Sequence, residues 1–173
     1  YVVGETQQAV ITQFGEPRGD AVTTPGLRLK IPFIQRVNYF DKRFLEWDGD
    51  PNEIPTRDKR FIHVDTYARW RITDPLLYFQ RLRGEQRAQS RLDDILDGET
   101  RNVIAKHDLI EVVRSSNREF AVSEEEVAGD VAPESQENIE QGRGALAAEV
   151  LQAAQTRTED LGIEILDFRF KRI

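Results

Sequence analysis

Arg60-Phe61-Ile62-His63-Val64-Asp65-Thr66-Tyr67-Ala68-Arg69-Trp70-Arg71-Ile72-Thr73-Asp74-Pro75 changes its period at a single point. From Arg60 to Ile72 the residues Ile62, Val64, Thr66, Ala68, Trp70 and Ile72 alternate with Phe61, His63, Asp65, Tyr67, Arg69 and Arg71. A period of two places one set on an apolar face and the other toward water, as in a half-buried strand. At Thr73-Asp74-Pro75 the alternation stops, because an aspartate accepts from free helix N–H groups and proline suits a first helical turn. The spacing predicts a helix from Pro75 onward.

Downstream, a short helix over Leu76 to Leu82 leads past Gly84 into a longer one. There Ala88, Leu92, Ile95, Leu96, Val103 and Ile104 recur at three-, four- and seven-residue intervals, the mark of one buried helical stripe. Asp108 opens a third piece carrying Leu109, Ile110, Val112 and Val113. Ala145 to Leu161 is alanine-rich and helical, with Gly162 as its C-terminal stop. Ile163 to Ile173 reads as a returning strand with Leu166, Phe168 and Phe170 on one face, and its partner is the Arg60 to Ile72 strand.

Upstream, short β-prone runs are punctuated by turn residues: Gln8 to Phe14, Leu27 to Ile31, Arg36 to Trp47, and Asn52 to Thr56. The last forms a hairpin with Arg60 to Ile72 across Arg57-Asp58-Lys59. Strands, then helices, then a strand give an α+β fold: an antiparallel N-terminal sheet followed by helices and a returning C-terminal strand. The expected division is a strand meander at 1–47 and a unit at 48–173 that holds the hairpin, the helices and the last strand.

The chain has 173 residues, 24 Lys and Arg against 31 Asp and Glu, no cysteine, no methionine and two histidines. This excludes disulfides, thiolate zinc sites and a cysteine nucleophile, and no cofactor is expected. No window reaches the roughly 18 consecutive apolar residues of a spanning helix. A start at Tyr1 without methionine is read as a fragment whose start, and any anchor before it, lies upstream. The net charge of −7 resides in one segment, since the acidic insert at 121–142 carries Glu124, Glu125, Glu126, Asp130, Glu134, Glu137 and Glu140 and no Lys or Arg. The overall sign argues against nucleic acid as a partner.

Candidate chemistry is sparse. His63 and Asp65 share a strand face, but Ser90, Ser115, Ser116, Ser123 and Ser135 lie in helical or loop contexts without a nucleophile elbow, so a solvated face is the expectation. Asp93, Asp94 and Asp97 alternate with Arg87, Arg91 and Arg101, as in ion pairs on a helix surface. His107 reads as a surface histidine near a helix end. Gln141-Gly142-Arg143-Gly144 lacks the strand and the lysine of a phosphate loop and reads as a hinge. Arg69, Arg71, Arg81, Arg83, Arg87 and Arg91, interleaved with Trp70, Tyr78 and Phe79, sketch a groove for single strands, against which intramolecular ion pairing is the stronger expectation. In Pro25-Gly26-Leu27-Arg28-Leu29-Lys30-Ile31-Pro32-Phe33-Ile34, two prolines bracket a short strand and leave Phe33 and Ile34 at a turn. Two readings stand side by side: a turn packed under the meander, or a rim that dips into a bilayer interface.

Tyr1-Val2-Val3-Gly4-Glu5, Gln8-Ala9-Val10, Phe14-Gly15, Pro25-Gly26-Leu27, Ile31-Pro32-Phe33-Ile34 and Phe40-Asp41-Lys42-Arg43 resemble the opening of the stomatin/prohibitin/flotillin/HflK/HflC (SPFH) domain. Thr56-Arg57-Asp58-Lys59, Val64-Asp65 and Ala68-Arg69-Trp70-Arg71-Ile72-Thr73-Asp74-Pro75 resemble its bacterial HflC branch. Arg91-Leu92-Asp93-Asp94-Ile95, Arg101-Asn102 and Leu161-Gly162-Ile163-Glu164-Ile165 extend the similarity over essentially the whole chain.

The resemblance implies a bacterial inner-membrane protein with one membrane-spanning helix before Tyr1, this domain in the periplasm, and a coiled-coil helix after Ile173. It implies a non-enzymatic scaffold that pairs with an HflK-like protein in a ring around the AAA+ protease FtsH and regulates it. A stand-alone stomatin-like organiser of membrane microdomains and a periplasmic hydrolase are the alternatives. The candidates for proximity to inner-membrane lipid are Tyr1, Val2, Phe33 and Ile34, and residues 1 to 173 alone are expected to be mainly monomeric. The acidic insert is unusual for the family.

Overall fold

A computed structural model describes residues 1–114 and 142–173. The acidic insert expected at 121–142 lies outside the described residues except for Gly142. The central element is β8 (Phe61–Ile72), whose even-numbered side chains from Ile62 to Ile72 are all buried, as the alternation predicts. It pairs antiparallel with β6 (Leu45–Asp48), β7 (Asn52–Pro55) and β9 (Ile163–Arg172), so the expected hairpin and the expected returning strand are both present. β6 and β7 take successive stretches of β8, from Leu45↔Trp70 to Asp48↔Tyr67 and then from Asn52↔Val64 to Pro55↔Phe61. Gly49, Asp50 and Pro51 thus stand opposite two residues, Asp65 and Thr66, and form a bulge.

Among the described residues, four helices cover the apolar face of this sheet: α1 (Pro75–Arg81), α2 (Glu85–Ile104), α3 (Leu109–Val113) and α4 (Arg143–Thr158). Asp74 caps α1 by accepting from the N–H groups of Leu76 and Leu77 at 3.0 Å, and Pro75 sits in the first turn. All six stripe residues expected in α2 are buried, and they share one core with Trp47, Trp70, Leu146, Val150, Ile165 and Phe168. Asp108 precedes α3 but does not cap it. Its carboxylate instead pairs with the Arg57 guanidinium, which holds it below the usual carboxylate range.

The strand β9 departs from the expected alternation. Its register runs Ala68↔Phe168, Arg69↔Asp167 and then Trp70↔Ile165, so Leu166 is an extra, bulged residue. One inserted residue reverses the parity of a strand, so Ile163, Ile165, Phe168 and Phe170 point inward while Leu166 is exposed. The outer edge of β9 is not left open. Gln155 and Arg143 of α4 donate to the carbonyls of Ile165 and Phe170, occupying acceptors that an unpaired edge offers to another strand.

The N-terminal strands form two small sheets. β2 (Gln7–Gln13) lies between β3 (Glu16–Pro17) and β5 (Gln35–Asp41), and β1 (Val2–Val3) pairs with β4 (Gly26–Leu27). Two expectations are corrected here. The strand expected over Leu27 to Ile31 is only the short β4, because pairing ends at Arg28, which exchanges backbone hydrogen bonds with Tyr1, and Leu29 to Ile34 makes no ladder among the described residues. The strand expected over Arg36 to Trp47 is two strands, because Asp41 folds back to accept from the Arg43 backbone N–H at 2.9 Å and turns the chain. β6 therefore belongs to the sheet of β8, and the expected boundary at 47/48 runs through it.

The two sheet systems are joined by a row of rings. Phe40 of β5 meets Tyr78 edge-on at 5.3 Å, and Tyr78 stacks on Trp70 at 6.4 Å. The buried Gln8 side chain donates to the carbonyls of Ile72 at 3.2 Å and Asp41 at 3.4 Å, tying β2 to both neighbours.

Candidate functional site

The hydrolase candidates do not converge. His63 is exposed on the wet face of β8 opposite Glu53, and no hydrogen bond joins His63, Asp65 and a serine among the described residues. Ser115, Ser116, Ser123 and Ser135 lie outside those residues. Asp93, expected in a surface ion pair, accepts from the Trp47 indole at 2.6 Å and so fixes α2 to β6. Burial first, and then the Asp93 charge, pushes the Asp97 carboxyl up. His107 is not a free surface group, because Glu111 lies 2.8 Å from one ring nitrogen and Glu149 3.6 Å from the other.

The basic aromatic groove loses its β8 members. Arg69 pairs with Asp167 at 3.0 Å and Arg71 with Glu164 at 2.7 Å, while Trp70 and Tyr78 face the core. Arg143, in the expected hinge, turns inward onto β9, and Gln141 lies outside the described residues. We expect any esterase or peptidase turnover in a preparation of this domain to be unchanged by His63→Ala. A loss of turnover in that variant, measured with a chromogenic ester and a fluorogenic peptide, would contradict the scaffold reading.

The chemistry on offer is instead an exposed apolar rim. Phe33 is wholly exposed, Leu29 is 94% and Phe14 84% exposed, and Leu27, Ile31 and Ile34 are exposed as well. Their presentation follows from local geometry. The loop from Ile31 to Gln35 is closed by the Gln35 N–H donating to the Ile31 carbonyl at 3.1 Å, while the Gln35 side-chain oxygen accepts from the Ile31 N–H at 2.9 Å. Pro32 fits the start of such a turn, and Phe33 follows with φ 67°, its ring pointing to solvent. Phe14 occupies the two-residue turn between β2 and β3 with φ 53°, followed by Gly15 with φ 90°. Both angles are positive, which is the turn that matches the twist of a hairpin.

The structure divides the four residues singled out from sequence. Tyr1 and Val2 sit beside β4: the amino group of Tyr1 donates to the Arg28 carbonyl at 2.8 Å, and Val2 is the register partner of Leu27. Phe33 and Ile34 line a cleft together with Phe14, Phe79, Arg36 and Arg83. Sequence reasoning missed Phe14 and Arg36 and grouped Phe79 and Arg83 with the β8 arginines instead, although an aromatic residue just before Gly15 in a tight turn was a signal available to it. No helix among the described residues is long and apolar enough to cross a membrane, and no group of three metal-ligating side chains is found among them.

The family model for the SPFH domain / Band 7 family matches residues 1–173. The chain belongs to this family. Among curated relatives, this SPFH domain is 40% identical over 183 residues to Protein HflC of Treponema pallidum, covering all of this chain and 55% of the relative. It is 33% identical over 180 residues to Protein HflC of Borreliella burgdorferi, covering all of this chain and 54% of the relative. It is 26% identical over 194 residues to Modulator of FtsH protease HflC of Escherichia coli K12, covering all of this chain and 58% of the relative. The SPFH domain thus spans about half the length of the curated relatives it matches. The resemblance to the HflC branch read from the sequence is borne out.

Proposed function

We propose that this SPFH domain is the membrane-facing part of a non-enzymatic scaffold subunit of HflC type. In this reading the protein is held in a bacterial inner membrane by a single spanning helix, with the domain in the periplasm. It assembles with an HflK-like partner and modulates an FtsH-type AAA+ protease. The E. coli relative named as a modulator of FtsH protease supports the protease role. The observation that carries the reading is the rim: Leu27, Leu29, Ile31, Phe33 and Ile34 crowd into eight consecutive positions and are all exposed. An apolar patch that the fold leaves in water marks an interaction surface. We take the N-terminal sheets as a first, membrane-proximal subdomain and the β8 sheet with its helices as a second.

Flotation with vesicles tests the rim. Burying two such side chains is worth on the order of a few kcal/mol, so Phe33→Ser, Ile34→Ser is expected to reduce flotation of the isolated domain at least tenfold. Equal flotation of both proteins, or none by either, removes the membrane role of the rim. Light scattering is expected to find the isolated domain mainly monomeric, because an anchor and a coiled coil would supply the effective concentration for assembly. A stable ring formed by residues 1 to 173 alone would assign assembly to the SPFH faces instead.

A further inference from the structure

We propose that the cleft between the Phe14 turn, the Ile31–Gln35 loop and the C-terminal end of α1 seats the phosphate of an anionic phospholipid, an inference that rests on the membrane-facing reading above. The cleft has a volume of about 570 Å³. Its wall is apolar, from Phe14, Phe33, Ile34 and Phe79, and it also carries two cations, Arg36 from β5 and Arg83 from the turn after α1. No carboxylate among the described residues lines it. Neither guanidinium makes a hydrogen bond or ion pair to another described residue, in contrast to Arg69 and Arg71 on the β8 sheet. Arginine presents a planar fork of donors suited to phosphate oxygens, so two free guanidinium groups beside aromatic rings match a phosphate carried on an apolar body.

Charge along the chain points the same way. From Ala21 to Phe40 there are three cations, Arg28, Lys30 and Arg36, and no Asp or Glu, although the whole chain carries −7. An anionic surface attracts this segment and repels the acidic remainder, which turns the rim toward the lipid. Backbone conformation adds a second, independent observation. Phe14 and Phe33 both hold positive φ, a region that L-residues with large side chains rarely occupy, and neither ring gains packing inside the chain in return. A free phosphate ion would leave these rings and the adjoining Leu27 and Leu29 in water, so the occupant is lipid.

Flotation of the domain with phosphatidylcholine vesicles, and with vesicles in which phosphatidylglycerol replaces part of that lipid, tests the inference. The wild-type domain is expected to prefer the anionic vesicles. Arg36→Gln, Arg83→Gln is expected to lower binding to them by roughly 25-fold at low salt, about fivefold for each charge, and to leave binding to neutral vesicles unchanged. Arg87→Gln, Arg91→Gln removes the same charge from α2 and is expected to keep the wild-type preference. Equal wild-type binding to both vesicle types would overturn the inference and leave the membrane reading standing, whereas no flotation on either would overturn both. An equal loss in the α2 variant would overturn it by assigning the effect to bulk charge. Thermal stabilisation of the wild type by inorganic phosphate, abolished in Arg36→Gln, Arg83→Gln, would overturn the lipid assignment in favour of a free ion.

Discussion

Replacing Gly162 with alanine is expected to lower the thermal midpoint of the domain by roughly 4–20 °C, at about 2–4 °C per kcal/mol for a chain of this size. Gly162 ends the 3-10 turn that follows α4 and has φ 70°, where a side chain costs about 1–2 kcal/mol. The space is also closed. A Cβ there would lie 2.5 Å from the Asp74 carbonyl oxygen and 2.8 Å from the Tyr78 nitrogen, both of them backbone atoms that cannot turn aside. The Gly162 carbonyl meanwhile accepts from the backbone N–H groups of Thr73 at 3.0 Å and Asp74 at 3.2 Å, so relief by movement would disturb the cap of α1. Overpacking of this kind adds about 1–3 kcal/mol. Melting followed by circular dichroism checks the value, and a midpoint within a degree of wild type would show that the junction of α1, α4 and β9 is looser than described.

Trp70→Ala is expected to cost about 3–5 kcal/mol, the usual range for emptying a buried aromatic site. Trp70 is completely buried at the centre of β8, stacked on Tyr78, and it connects the helices to the ring of Phe40 in the N-terminal sheets. A comparison of phenylalanine substitutions refines the account. The Trp70 indole N–H has no acceptor among the described residues, so Trp70→Phe removes an unsatisfied donor along with some volume. Trp47→Phe instead takes the 2.6 Å donor away from Asp93. Urea unfolding should therefore rank Trp47→Phe as the more destabilising of the two, and the reverse order would mean that Asp93 does not depend on Trp47.

The parts of the fold that were legible in the sequence are those whose pattern is local. The alternation through Ile62, Val64, Thr66, Ala68, Trp70 and Ile72 is a property of one strand, and the stripe from Ala88 to Ile104 is a property of one helix. The Asp74-Pro75 cap is likewise complete within four residues. What escaped depends on distant partners. Leu166 shares the alternation of Phe168 and Phe170 in sequence, and only pairing with β8 reveals an extra residue between Asp167 and Ile165. Leu27 to Ile31 has strand composition, but only Leu27 and Arg28 find partners, in Val2 and Tyr1. The break at Lys42 to Phe44 rests on one aspartate side chain folding onto the next turn.

The same distinction holds for the candidate site. Phe33 and Ile34 could be picked out because the prolines around them announce a turn, yet the sequence left open whether that turn packs under the meander or faces out. The structure answers that it faces out, because Gln35 closes the loop by itself and no neighbour covers Phe33. Arg36 and Arg83 could not have been paired from sequence, since they come from a strand and a helix end that the packing of Phe40 against Tyr78 and Phe79 brings together. The candidate site is thus a surface assembled by tertiary packing rather than a motif.

The central claim, that the protein carrying this domain modulates a membrane protease without catalysis of its own, is tested most directly by the degradation half-life of a membrane-protein substrate of the FtsH-type protease. The half-life is measured in cells that hold the wild-type protein, lack it, or carry Phe33→Ser, Ile34→Ser. The account predicts that deletion changes the half-life, that the double variant moves it toward the deletion value, and that no degradation occurs when the protease is absent. An unchanged half-life on deletion, or degradation that persists without the protease and requires this protein, would contradict it.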